Sequence, residues 1–157
     1  MNVHRVLGCV VLGLASYCTA LTAEPTSLAQ VKTIAIRDGA PTAESTICLS
    51  QFEDRLVAGG FTLAAPDSAD AEMTVTLSVG GGRVFGGGWW SSVEYDVNCL
   101  IKVVSLPSHL DLFRFTGHQE NSLKSACNRL AKKTLKEIAE AKEHGAAPEA
   151  TGSNKPK

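Results

Sequence analysis

The amino-acid sequence predicts an α+β fold, a two-layer sandwich in which a mostly antiparallel sheet carries two helices on one face. Three observations predict it. Residues 73–79, 93–103 and 112–118 alternate apolar and polar side chains with period two, which reads as a three-stranded meander with one buried face and one wet one. Two other stretches, beginning near Ser45 and near Asn121 or Ser122, repeat apolar residues at helical spacing and need a sheet face to bury them. A β-branched segment, 31–37, precedes the first helix, so the chain crosses over before it rejoins the sheet and at least one parallel pairing is expected.

The elements run strand, helix, short strand, three-stranded meander, helix. Val31-Lys32-Thr33-Ile34-Ala35-Ile36-Arg37 has strand composition and stops at the turn pair Asp38-Gly39. In the first helix Cys48, Phe52 and Leu56 recur at i, i+4 and i+8. Ile47 and Leu49 widen that face, Glu53, Asp54 and Arg55 lie opposite, and Gly59-Gly60 ends it. Phe61-Thr62-Leu63 leaves room only for a short strand before Pro66-Asp67-Ser68. Met73, Val75, Leu77 and Val79 face inward in the first meander strand, and Val93, Tyr95, Val97, Cys99, Ile101 and Val103 in the second. The third places Phe113 and Phe115 inward, with Arg114, Thr116 and His118 outward. Leu123, Cys127, Leu130, Thr134 and Ile138 form the stripe of the last helix, thickened by Ala131 and Leu135. Its lysine-rich opposite face reads as solvated, and His144 with Gly145 closes it.

Of 157 residues, 44% are hydrophobic and 20% charged, a globular balance that excludes a disordered chain and, at this length, a two-domain enzyme. Fifteen Lys and Arg against sixteen Asp and Glu leave a net charge of −1, so no basic surface tracks a phosphate backbone and nucleic acid is not an expected partner. Residues 1–23 read as a signal peptide: Arg5 is positive, residues 6–20 are uncharged and mostly apolar, and Ala23 stands before Glu24-Pro25, with Ala20 as the alternative cleavage position. The apolar run is shorter than the ~20 residues of a spanning helix. Lipid anchoring at Cys18 is not expected, because Tyr17 stands where an acylation signal carries a small residue, and Cys9 lies too early in the run. The expected mature chain is periplasmic or secreted, with a linker at 24–30, one domain at 31–144 and a disordered tail at 145–157.

Four features together carry a family resemblance. They are the opening Val31-Lys32-Thr33-Ile34-Ala35-Ile36 strand, the helix ending in Gly60-Phe61-Thr62-Leu63, the run Ser68-Ala69-Asp70-Ala71-Glu72-Met73 into the meander, and the closing helix with Leu130, Leu135 and Ile138. In element order, residues 31–140 resemble the small envelope domains of Gram-negative bacteria of the TolB amino-terminal and CsgG-like type. The resemblance implies a non-enzymatic envelope protein that binds or assembles with other envelope components. The glycine-tryptophan loop and the missing lipid-attachment motif depart from it.

Three cysteines remain after residue 23, in what the signal makes an oxidising compartment, so one disulfide and one leftover thiol are expected. Cys48, Cys99 and Cys127 all fall on inward faces and allow three pairings. Cys48 with Cys127 is favoured, since both sit in the first turns of helices packed on one sheet, and such a bridge would close a long loop. His109, Asp111, His118 and His144 lack the spacing of a zinc site, so no metal and no cofactor is expected. A hydrolase built from Cys127, His118 and Asp111 is disfavoured because Cys127 belongs to an apolar stripe. The run Gly80-Gly81-Gly82-Arg83-Val84-Phe85-Gly86-Gly87-Gly88 is followed by a strand and not by the helix a phosphate cradle needs. It reads as a long flexible hairpin loop, yet Arg83, Phe85, Trp89 and Trp90 give it the residues of a contact surface. Folding back over the sheet edge as local core is the competing reading.

Three functions follow. The first is a non-enzymatic envelope protein that binds a protein or envelope component through this loop, with peripheral membrane contact as a variant. The second is a secreted inhibitor or immunity-type protein that blocks one enzyme. The third is a small hydrolase, which lacks an assembled acid, base and nucleophile. The first is the expectation; the oligomeric state is left open.

Overall fold

A computed structural model of the protein describes residues 24–87, 89 and 91–144. The expected signal peptide, the expected tail and Trp90 lie outside these residues. Leu28–Gln30 form a 3-10 turn, followed by β1 (Thr33–Asp38), α1 (Ala43–Ala58), β2 (Thr62–Leu63), β3 (Ala71–Val79), β4 (Arg83–Phe85), β5 (Ser92–Ser105), β6 (Asp111–Asn121) and α2 (Leu123–His144). The fold is the expected α+β two-layer arrangement.

β1 pairs in parallel with both β2 and β3, the two pairings that the crossover through α1 requires. β3, β5 and β6 form the antiparallel meander, with Met73 opposite Val103 and Ile101 opposite Phe115. A register shift between Val103 and Val104 lets both Leu112 and Phe113 of β6 be buried at consecutive positions. α1 begins two residues before the expected Ser45. Thr42 is the cap: its Oγ1 accepts from the Ser45 backbone N–H at 3.1 Å, while Ser45 Oγ accepts from the Thr42 N–H at 2.9 Å. The Ser45 hydroxyl also donates to Asp38 at the end of β1, which ties the helix start to the strand it follows.

One core forms between the layers. Cys48, Phe52 and Leu56 of α1, Met73, Val75, Val97, Ile101 and Val103 of the sheet, and Cys127, Leu130 and Ile138 of α2 are all buried in it. Ile47, read as part of the α1 face, is instead exposed, because α2 and the sheet reach only the stripe through Cys48, Phe52 and Leu56. Arg55 donates from Nε and Nη2 to Asn128 Oδ1 at 3.1 and 2.8 Å, so the two helices are also joined at their polar margin. The segment 24–30 belongs to the fold: Leu28 is buried, and the Glu24 carboxylate accepts from Ser105 Oγ at 2.8 Å and from the Ser108 N–H at 3.1 Å.

Candidate functional site

One inward assignment from the period-two pattern fails at one end of the sheet, and it marks the site. Val93 is 40% exposed, because β5 has there run past the helices that cover the rest of it, whereas Tyr95 is partly buried against the core. The glycine-rich stretch is also more than a loop. Arg83, Val84 and Phe85 pair with Glu94, Val93 and Ser92 as a short antiparallel ladder.

The glycines before it explain how. Val79 faces Val97 and Arg83 faces Glu94, so the glycine side carries one extra residue between the two ladders, a bulge. The Gly80 N–H keeps the strands joined, donating to Asp96 O at 2.7 Å. At Gly82 a Cβ would stand 2.5 Å from Val93 Cγ1, closer than real carbon contacts, so any side chain there would push Val93 aside. At the far end Gly86 turns the chain with φ of 94°.

β4 with the start of β5 therefore makes a two-stranded arm that extends beyond the sheet, since the β6 ladder on β5 stops at Tyr95. The arm presents apolar surface. Val84 is 67% exposed, Phe85 48% and Trp89 85%. Arg83, opposite Glu94, is exposed beside them. At the foot of the arm a shallow hollow is lined by Arg83, Phe85, Glu94, Tyr95, Asp96 and Glu120. Of the residues expected to form a contact surface, the structure brings Arg83, Phe85 and Trp89 onto one arm, and Trp90 lies outside the described residues. Val84 and Val93 were not anticipated there. From the sequence Val84 reads as part of a loop and Val93 as part of an inward face, and only the end of helical cover leaves Val93 exposed.

The other sequence candidates separate. Cys48 and Cys127 are bridged with Cα atoms 5.0 Å apart, and Cys99 is a buried free thiol. Burial pushes the Cys99 thiol up to about 11, against the opposing influence of the Gly117 backbone and Lys133, so it is neither exposed nor ionised as a nucleophile must be. Asp111 pairs with Lys102 at 2.7 Å, whereas His118 Nε2 lies 2.7 Å from Asp96 Oδ1 on a different part of the sheet. The Cys127, His118 and Asp111 set is not assembled. His109 sits in the loop after β5 at φ 59°, and His144 closes α2 beside Glu140 O.

No protein-family model and no curated protein matches the chain. Solved structures do. PelC from Paraburkholderia phytofirmans, solved as a dodecamer, is similar at a TM-score of 0.53 and 19% identity, over 74% of this chain and 92% of that one. A minor lipoprotein from Acinetobacter baumannii is similar at 0.46 and 11%, over 70% and 94%. A lipoprotein from Neisseria meningitidis is similar at 0.45 and 12%, over 69% and 99%. At these identities the likeness is one of fold alone.

Proposed function

We propose that the protein is an exported, non-enzymatic envelope protein that binds or assembles with envelope components through its aromatic arm. The observation that carries this reading is the arm itself. Burying a Phe or Trp stabilises a domain by a few kcal/mol, yet Phe85 and Trp89 stand on a bulged extension that leaves them exposed. Exposed aromatic and apolar side chains set beside an arginine are the composition of a contact surface. A TolB-like or CsgG-like relationship is part of the same proposal.

The arm also has a direction. It leaves the first residue of β5, while Glu24 is held at Ser105 and Ser108, where the strand ends. Fourteen residues of strand separate these poles by about 45 Å. Were residues before Glu24 retained as an anchor, with Cys18 acylated, the arm would point away from that bilayer. This polarity favours a protein or a further envelope component as the partner over the anchoring membrane. Intact mass of the exported chain reads the anchor directly: a free N-terminus at Glu24 is expected, and a mass carrying acyl chains on Cys18 replaces that expectation with the anchored form.

The test compares the wild-type chain with Phe85→Ala, Trp89→Ala and Trp90→Ala in crosslinking and co-purification from envelope extract, with flotation on anionic vesicles as a second arm. Partner recovery should fall in the variants while the denaturation midpoint stays within about 0.5 kcal/mol. Equal recovery by all variants overturns the proposal, and so does a stability loss above about 2 kcal/mol, the signature of a core ring. Because a protein of similar fold is a dodecamer, light scattering of the wild type and the arm variants reads whether the partner is a second copy.

A further inference from the structure

On the open face of the sheet, beside the foot of the arm, three side chains from two strands converge. His118 Nε2 on β6 lies 2.7 Å from Asp96 Oδ1 on β5 and 4.0 Å from Glu120 Oε1. One possible ligand atom from each falls within 4.8 Å of the others. The ladder register causes this. Asp96 is directly opposite Glu120, and Asn98 is directly opposite His118, so all four share one face over a single pleat. Asn98 Nδ2 donates to Asp96 Oδ1 at 3.2 Å and so helps to fix that carboxylate.

The donor set asks for a cation. Two carboxylates directly opposed across an antiparallel ladder repel each other. Among the described residues, the ion pairs of both run to His118. Of the other basic residues of this face, Arg37 pairs with Glu72 at 2.9 Å and Lys102 and Arg114 with Asp111 at 2.7 and 3.4 Å, while Arg83, opposite Glu94, lines the adjoining hollow. The imidazole adds what a mere acidic patch lacks, a ring nitrogen able to ligate a metal.

We infer that Asp96, His118 and Glu120 form a divalent-cation site, and that its ion is zinc. Zinc accepts imidazole nitrogen together with carboxylate oxygen, and a three-residue set leaves a fourth position open toward solvent. Calcium and magnesium prefer oxygen ligands throughout. Tetrahedral ligands about 2.0 to 2.2 Å from zinc stand about 3.3 to 3.6 Å from one another. The observed 2.7 and 4.0 Å straddle that spacing, so side-chain rotation closes the set while the paired backbone stays in place. Since Asp96 and Glu120 also line the hollow beside Arg83 and Phe85, the ion would sit at the arm's foot and couple its own binding to the arm's geometry.

The test titrates zinc chloride into the full exported chain, stripped with chelator and with its disulfide intact, by isothermal calorimetry. One ion per chain at micromolar affinity is expected, together with a zinc-dependent rise in melting temperature. His118→Ala should weaken binding by at least about tenfold, with Asp96→Asn and Glu120→Gln each weakening it as well. His109→Ala and His144→Ala should leave it unchanged. All five positions are exposed, and an unchanged circular dichroism spectrum verifies that each variant folds. Absence of saturable binding below about 1 mM overturns the proposal, as does binding that His118→Ala leaves intact. Magnesium binding more tightly than zinc overturns the identity of the ion. Failure of the arm's partner test does not bear on this result, since zinc affinity is read on the chain alone.

Discussion

Breaking the bridge between Cys48 and Cys127 should remove about 4 kcal/mol of stability. The bond joins α1 to the first turns of α2 across a sequence separation of 79 residues. In the chain-entropy description the loss on closing a loop is 2.1 plus 1.5R ln n cal/mol/K, which for a loop of that length gives about 4.5 kcal/mol at 25 °C. Whole domains are stable by about 5 to 15 kcal/mol, so the bridge is a large part of the total. Both cysteines are fully buried. Replacing them with alanine adds a small cavity cost to the lost constraint, and reduction of the unaltered chain separates the two. Urea unfolding of oxidised wild type, reduced wild type and the Cys48→Ala/Cys127→Ala double variant, followed by circular dichroism, measures all three. Reduced wild type should lose about 4 kcal/mol and the double variant slightly more, with a steeper denaturant dependence because the unbridged chain exposes more surface on unfolding. Thiol counting in denaturant without reductant should find one free group in the exported chain, that of Cys99. Three free thiols would refute the bridge, and a loss below about 1 kcal/mol would refute the entropic account of it.

Thr134 is fully buried in α2 and, among the described residues, its hydroxyl has no hydrogen-bond partner. Thr134→Val should therefore raise stability by about 1 kcal/mol in urea unfolding, the penalty of an unsatisfied buried hydroxyl being of that order. Gly117 lies opposite Cys99 where α2 comes close to β6, and a Cβ there would stand 2.8 Å from both Leu130 Cδ2 and Phe115 Cε1. Gly117→Ala should lower stability by about 1 to 3 kcal/mol as those core side chains are forced aside. At Asp70 burial works to raise the carboxyl, but the Thr33 and Lys32 backbone N–H groups that it accepts at 2.8 and 2.9 Å prevail and hold it below 3.8. A carboxyl lowered in the folded state contributes stability that is complete above its unfolded value and is lost as the pH falls through its folded value. Acid unfolding below about pH 3.8 should thus be shallower in Asp70→Asn than in wild type, and identical slopes would refute the assignment.

Local period and spacing make the covered part of this fold legible, and fail where a side chain's fate depends on something distant in sequence. Cys48, Phe52 and Leu56 are spaced for one helix face, and Met73, Val75 and Leu77 for one strand face. Both patterns are met because each element has a partner along its whole length. Ile47 and Val93 obey the same patterns and are exposed, since cover is a property of the neighbouring element and not of the alternation. The favoured cysteine pairing was legible for a related reason: once two helices are known to share a sheet face, their first turns can be brought together. Arg83, Phe85 and Trp89 stood out by composition, but the bulge that turns the glycine run into an arm is set by the offset between the 79–97 and 83–94 pairings. The sequence singles out His118 as a possible ligand but not its partners. Asp96 lies 22 positions from His118, and only the register of β5 against β6 puts Glu120 across from Asp96. A one-residue slip would send His118 to the covered face. The same ladder thus fixes the core on one side of the sheet and gathers Asp96, His118 and Glu120 on the other, and neither arrangement is available to either strand alone.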